Sequence, residues 1–95
     1  MYAMSRLRRH DEFGDVYRAV GVRIARERSR RSLSQRELAG LTGTTQSAVA
    51  RLEGGSRAPR LDTLLRVANA LDCTLELELR PRTTIEGGMS RGDDA

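Results

Sequence analysis

Three side chains in one predicted helix have the chemistry to hydrogen-bond with the edges of base pairs. Gln46, Ser47 and Arg51 lie at positions i, i+1 and i+5, on the side of the helix away from Val49 and Leu52. A glutamine amide can form two hydrogen bonds with adenine, and an arginine guanidinium can do the same with guanine. Serine is short and pairs with several bases, so it specifies little. Taken alone, Gln46 and Arg51 are better explained as ordinary exposed residues, so their assignment depends on the elements that position them.

Residues that could carry catalysis or bind a metal are scattered along the chain. His10 is the single histidine, and its charged stretch brings it no other metal ligands. Cys73 follows the last predicted helix, where a small buried hydrophobic side chain is a simpler interpretation than a nucleophile. The sequence offers no Ser/His/Asp set, no Gly-rich phosphate loop after a strand and no paired carboxylates. We therefore expect no enzyme activity, no cofactor and no metal.

Length and charge limit the function further. The 95 residues allow one domain with a small core and exclude a large enzyme fold with a separate substrate domain. The formal net charge is +4, and all 17 positive side chains are arginines, which we attribute mainly to compositional bias. Residues 1–31 hold nine arginines and four acidic residues, whereas residues 74–95 hold three and five. The surface for an anionic partner is therefore predicted toward the N-terminus.

The sequence shows no feature typical of secreted or membrane proteins. The single cysteine cannot form a disulfide within the chain, which suits a reducing cytoplasm. Residues 1–13 are charged and lack the apolar centre of a signal peptide. No apolar run approaches the ~18–20 residues that span a bilayer. We expect a cytoplasmic protein with no membrane partner, associated with the nucleoid when it is bound to DNA.

The first two helices are predicted from apolar spacing and capping residues. A helix is expected from about Asp15 to Arg31. Ser34 followed by Glu37 is a capping box, which predicts that a second helix begins there. Gly43 supplies the left-handed conformation that ends it. The inward face of the first helix is predicted to carry Phe13, Val16, Val20 and Ile24.

The pattern then predicts two more helices and a strand. Thr44 and Thr45 offer an N-cap for a third helix from Gln46 to about Glu53, and Pro59 lies just before or at the start of a fourth. Residues 74–80 alternate strictly between apolar and polar, as in a strand, and Pro81 ends it. The apolar stripe of the fourth helix contains Leu61, Leu64, Leu65, Ala68 and Leu71.

The second and third helices meet the requirements of a helix-turn-helix. That motif needs a small residue where the helices cross, a glycine in the turn and a β-branched or bulky residue in the second helix. Ala39, Gly43 and Val49 supply these at spacings of four and six. A generic helical hairpin would not need this combination together with a cap at each helix start. The sequence therefore predicts DNA binding.

Residues from about 20 to 72 resemble the Cro/C1-type (Xre) helix-turn-helix family, close to the lambdoid phage repressors. The resemblance implies an all-α, lambda-repressor-like domain of four to five helices, here with a short C-terminal β-strand that pairs across a dimer. The strings that carry it are LSQRELA (Leu33 to Ala39), GTTQ (Gly43 to Gln46) and LEGG (Leu52 to Gly55) followed by Pro59.

The same resemblance implies functions for individual residues. It places Gln46, Ser47 and Arg51 against base edges in the major groove. Arg28 and Glu53 resemble a partly buried ion pair that ties the first helix to the end of the third, the alternative being two separate exposed charges. The implied phosphate contacts are Ser34, Gln35, Thr45 and Gly54.

The predicted strand favours a homodimer. A single strand in a helical domain has no pairing partner, and its leucines, Leu75, Leu77 and Leu79, would be half exposed. A second copy would pair the two strands antiparallel and bring the leucines over the helices. A two-fold dimer also matches a palindromic operator in double-stranded DNA, with half-sites about 34 Å apart.

The whole architecture resembles HipB-like antitoxins, so a cognate toxin is a further candidate partner. The alternatives are a stand-alone regulator of phage or metabolic genes, and an interaction module that has lost DNA binding. The expected organisation is a flexible basic arm (1–14), the helix-turn-helix domain (15–73), the dimerisation strand (74–81) and a disordered tail (82–95). Arginines of the arm could reach a minor groove, although a solvated tail is the favoured interpretation. They are Arg6, Arg8 and Arg9.

Overall fold

Four helices form the fold over residues 12–82, the part of the chain that this computed structural model describes. The all-α architecture predicted from the sequence is confirmed. The basic residues of the predicted N-terminal arm, His10 and the predicted tail beyond Arg82 lie outside the described residues. The helices are α1 (Gly14–Arg30), α2 (Gln35–Thr42), α3 (Gln46–Gly54) and α4 (Leu61–Ala70).

The ends of α2 and α3 are determined by their own sequences. The Ser34 hydroxyl accepts a hydrogen bond from the Glu37 N–H (3.0 Å), and the Glu37 carboxylate accepts one from the Ser34 N–H (2.7 Å). This confirms the predicted capping box. Gly43 is left-handed (φ 73°), and the Thr44 N–H donates to the Ala39 carbonyl (2.9 Å) in a Schellman motif. The turn between the two helices is therefore short and specified locally.

The core is small and draws on all four helices. Ala39 and Val49, the crossing residues predicted for the helix-turn-helix, are 3% and 1% exposed. Helix α1 crosses α3 at Gly21, where a Cβ would lie 2.3 Å from the Glu53 carbonyl oxygen. Only glycine permits that approach. The buried apolar side chains are those of Ile24, Leu38, Ala39, Val49, Val67 and Leu71.

Part of the predicted inward face of α1 lies on the surface instead. Phe13 and Val16 are 47% and 57% exposed, whereas Ile24 is buried. Helix α1 has 17 residues and α3 has nine, or about 25 Å against 14 Å at 1.5 Å per residue. The first turns of α1 extend past their partner, so the prediction that Phe13 and Val16 lie in the core was wrong.

The apolar stripe of α4 is also divided between core and surface. Leu71 is buried, whereas Leu61 and Leu65 are each 52% exposed. Val67, which the predicted stripe did not contain, is 2% exposed and lies in the core. The stripe identified the helix, but the buried side is rotated toward α2 and away from Leu61 and Leu65.

Residues 73–82 form neither helix nor strand within the single chain. Leu77 and Leu79 are 70% and 101% exposed. A strand that pairs across a two-fold axis requires a second copy, so the predicted dimer strand stays a prediction. Among residues 12–82, no helix is long and apolar enough to cross a membrane.

Candidate nucleic-acid interface

The outer face of α3 gathers the three residues predicted to contact bases. Gln46, Ser47 and Arg51 are exposed, while Val49 on the opposite side is 1% exposed and anchors the helix to the core. At 100° per residue, the three exposed side chains fall within an arc of about 140°. Between them lies Ala50, which is also exposed and too small to prevent close contact with a groove floor. The face is polar, convex and supported from beneath.

These side chains keep their full hydrogen-bonding capacity. Over residues 12–82, Gln46, Ser47 and Arg51 make no side-chain hydrogen bond or ion pair. The arginines near the end of α1 differ, because Arg23, Arg30 and Arg31 all pair with Glu27. Arg51 has no acidic residue three or four positions away to neutralise it. Its guanidinium is therefore free to bind a ligand from outside the chain.

Ser34 and Thr45, two of the predicted phosphate contacts, cap helices and still keep a hydroxyl hydrogen to donate. The Thr45 hydroxyl accepts a hydrogen bond from the Ala48 N–H (3.1 Å) and so caps α3, as Ser34 caps α2. An accepting hydroxyl still holds its own hydrogen. Thr45 and Ser34 can therefore cap their helices and donate to a phosphate oxygen at the same time. Both are exposed.

Gln35 is held in place by a buried ion pair. Its Nε2 donates to Glu53 Oε1 at 3.0 Å, which leaves its second N–H for a phosphate. Glu53 in turn accepts two hydrogen bonds from Arg28, at 2.6 and 3.0 Å. The side chains of Arg28 and Glu53 are 16% and 7% exposed. The structure thus brings together Arg28 and Glu53, which the family resemblance predicted to pair. Gln35 adds a hydrogen bond to this pair.

The ion pair stays charged around neutral pH. Burial raises the pKa of the Glu53 carboxyl, but hydrogen bonds from Arg28 and Gln35 and the charge of Arg28 outweigh burial. The pKa of Glu53 therefore lies below its usual range. The hydrogen bond with Glu53 raises the pKa of Arg28. Glu53 remains an acceptor for Gln35 at any pH near neutrality.

Gly54, a predicted phosphate contact, is the last residue of α3 and borders open space. It is exposed, and a Cβ built on it would meet no atom within 4 Å. No packing contact therefore requires a glycine at this position. The next residue contrasts with it, because Gly55 is left-handed (φ 67°) and its Cβ would lie 2.6 Å from the Arg18 Cα. Gly55 is needed for the fold, and Gly54 is not.

Two further arginines were not identified from the sequence. Arg36, the second residue of α2, and Arg57, in the loop after α3, are exposed and unpaired within the described residues. Arg36 has no acidic residue at three or four positions from it, which was a usable signal. Arg57 gave no such signal, because the acidic residue Glu53 lies four positions before it in the sequence. In the structure, Glu53 pairs with Arg28 instead. Arg36 and Arg57 are therefore both free to bind a negatively charged ligand.

Comparison with known proteins places these residues in a shared motif. A family model described as helix-turn-helix matches residues 22–77, a range that contains every predicted base and phosphate contact. The uncharacterized HTH-type transcriptional regulator y4dL of Sinorhizobium fredii is 44% identical over 61 residues. That alignment covers 64% of this chain and 29% of the relative, so the chain spans less than a third of that protein.

A solved structure shows the same helical arrangement. The restriction-modification controller protein C.AhdI from Aeromonas hydrophila superposes with a TM-score of 0.63 and 34% sequence identity. The superposition covers 65% of this chain and 90% of the controller protein. The similarity therefore extends over nearly the whole of that smaller protein.

Proposed function

Because this chain belongs to the Cro/C1-type helix-turn-helix family, we propose that it is a dimeric transcriptional repressor that recognises a palindromic DNA operator. The observation that carries the proposal is the outer face of α3, where three exposed polar side chains have no partner in the described residues. In this proposal, α3 is the recognition helix and α2 lies across the phosphate backbone.

Base recognition would come from the two ends of that face. Gln46, in the first turn of α3, pairs with adenine through its amide, and Arg51, one and a half turns later, pairs with guanine. Ser47 lies between them and tolerates several bases. Two well-separated bidentate contacts fix the orientation of α3 in the groove and confer sequence preference.

Phosphate contacts would set the depth and register of α3. The hydroxyl groups of Ser34 and Thr45 and the free N–H of Gln35 are donors at the starts of the two helices. Gly54 lets the backbone approach the end of α3. Each phosphate that an arginine neutralises releases counterions, so binding weakens steeply with salt.

Dimer formation is the part of the proposal that concerns residues 74–80. Leu77 and Leu79 are largely exposed in the single chain, which is the state expected of side chains that a second copy covers. Two paired strands would hold two recognition helices about one turn of DNA apart. The palindromic operator follows from that symmetry.

Two regulatory settings are proposed for this repressor. An antitoxin function was predicted from architecture alone, and neither of the two relatives described above is named as one. Similarity to a restriction-modification controller protein favours a regulator of restriction-modification genes. The genes next to this one distinguish the two cases: a toxin-like gene favours the antitoxin, and a methyltransferase with an endonuclease favours the controller.

The test is a salt series of binding to a duplex from upstream of this gene, with a scrambled duplex as control. We expect tight binding at ~150 mM salt to the upstream duplex only, with a steep salt slope. Equal weak binding to both duplexes would contradict recognition of this operator. Absence of binding to either at low salt would favour an interaction module.

A further inference from the structure

Two exposed residues of α2 weaken the helix to which they belong. Arg36 is the second residue of α2, so its positive charge lies at the end of the helix where the backbone dipole is also positive. Gly40 is the sixth of the eight residues of α2, and glycine makes a helix less stable than alanine does. A helix this short has few backbone hydrogen bonds to compensate for both effects. Their presence therefore needs a reason other than the stability of α2.

No contact inside the fold supplies that reason. Arg36 makes no ion pair or side-chain hydrogen bond among the described residues. The carboxylate of Glu37, its neighbour in α2, accepts the Ser34 N–H instead. Gly40 is exposed, and a Cβ built on it would meet no atom within 4 Å. Gly43 differs, because its left-handed backbone (φ 73°) favours glycine over any other residue.

Arg36 and Gly40 form one strip, here called the α2 strip, on the outer side of the helix. They are four positions apart, so they lie about 40° apart around α2 and about 6 Å apart along it. Both lie about 160° around the helix from Leu38, which is 0% exposed and faces the core. Ala39, where α2 crosses α3, lies beside the strip. The strip begins one residue after Gln35, which is a predicted phosphate contact.

We propose that a phosphodiester strand of DNA runs along the α2 strip, with one phosphate bound by Arg36 and the strand in close contact with the helix backbone at Gly40. The inference rests on the proposed function and adds a contact that the family resemblance does not assign. A guanidinium presents a planar pair of N–H donors that matches two phosphate oxygens. Gly40 contributes space and no hydrogen bond, because its own N–H is used within the helix.

Binding of DNA removes one of the two unfavourable effects. In the free protein, the charge of Arg36 opposes the dipole of α2, and a bound phosphate neutralises that charge. The methyl group of an alanine at position 40 would stabilise the helix but would hold the strand away from it. Contacts with the sugar-phosphate backbone carry no direct sequence information. The α2 strip therefore raises the affinity for every duplex, and base preference stays with α3.

The test compares Arg36→Gln and Gly40→Ala with one control for each. Arg26→Gln removes another arginine that is exposed and has no partner within residues 12–82. Arg26 lies about 140° around α1 from Gly21, where α1 meets α3. Asn69→Ala raises the helix propensity at an exposed position of α4. Each full-length variant is titrated with the upstream and the scrambled duplex over a salt series, and its melting temperature is measured.

We expect both strip variants to bind DNA more weakly although their folds are at least as stable as the wild type. Arg36→Gln should lower the affinity for both duplexes by the same factor, about tenfold, and reduce the salt slope by about one for each bound protomer. Gly40→Ala should raise the melting temperature by roughly 2–8 °C and also weaken binding to both duplexes. The control variants should stay within about threefold of the wild-type affinity.

Failure of this contact differs from failure of the proposed function. If the wild type prefers the upstream duplex and Arg36→Gln matches Arg26→Gln in affinity and salt slope, the α2 strip lies outside the interface. A preference changed at one base pair by Arg36→Gln would overturn the backbone contact by assigning Arg36 to a base edge. Wild-type affinity in Gly40→Ala would exclude close approach at Gly40 and the strip with it. A wild type that binds neither duplex would overturn the proposed function and this inference together.

Discussion

The Glu53 carboxylate and the Arg28 guanidinium form a two-point ion pair, with Nε to Oε2 at 2.6 Å and Nη2 to Oε1 at 3.0 Å. The same guanidinium donates to the Leu33 carbonyl (2.8 Å), and the same carboxylate accepts from Gln35 (3.0 Å). One pair of side chains therefore joins the end of α1, the start of α2 and the end of α3. The proposed recognition helix α3 is thereby tied to both α1 and α2.

Removing the carboxylate should destabilise the fold strongly. Glu53→Ala leaves the Arg28 charge, whose side chain is 16% exposed, without a partner, which typically costs about 3–5 kcal/mol. Asp62→Ala is the control, since it removes a carboxylate that pairs with Arg60 and Arg66, whose side chains are 80% and 63% exposed. That change should cost much less stability, because solvent screens an exposed pair. Urea unfolding at equal protein concentration measures both, and equal losses would show that the Glu53 pair is no stronger than a surface pair.

Acid should weaken the fold through the same carboxyl group. The pKa of the Glu53 carboxyl is lower in the folded than in the unfolded chain. The ionised carboxylate therefore stabilises the fold at any pH above its unfolded pKa of about 4.3. That contribution is lost as the pH falls through the folded pKa. Glu53→Gln does not titrate, so the free energies of unfolding of wild type and variant should differ most at neutral pH and converge as the pH falls through the folded pKa of Glu53. A difference that is constant with pH would contradict the assignment.

The sequence predicted the helix-turn-helix because its determinants are local. The Ser34–Glu37 capping box, the Thr45 cap and the left-handed Gly43 each involve residues within a few positions of one another. Ala39 and Val49 could be assigned because the turn between them is short. Residue types were therefore enough to orient α3 and to identify its outer face.

Contacts between distant residues could not be predicted in the same way. Periodicity shows which face of a helix is apolar but not how far its partner extends, so Phe13 and Val16 were placed in the core. Gly21 had no signal, since its need for glycine comes from the Glu53 backbone across the fold. The hydrogen bond from Gln35 to Glu53 joins residues 18 apart, and only the packed structure reveals it.

Adjacent glycines should separate folding from DNA binding. Gly54→Ala places a methyl group in open space, so stability should hold or rise by roughly 0.5–1 kcal/mol, while affinity for DNA falls if a phosphate packs there. Gly55→Ala forces a methyl group against Arg18 at a left-handed position and should cost about 1–3 kcal/mol or more of stability. Thermal melts and DNA titrations on both variants provide the comparison. Unchanged DNA affinity in Gly54→Ala would remove Gly54 from the interface.

Arg51 offers the sharpest test of base recognition, because charge and geometry can be varied separately. Arg51→Ala should lower operator affinity by about 1–3 kcal/mol and relax the preference at one base pair. Arg51→Lys keeps the charge but loses the planar pair of donors, so the salt slope should persist while the preference falls. Arg66→Ala is the control, since it removes an exposed arginine of α4 that already pairs with Asp62. Titrations against a set of single-base-pair operator variants distinguish the cases: if Arg51→Ala weakens every duplex equally, Arg51 binds phosphate, and Gln46 becomes the principal candidate for base recognition.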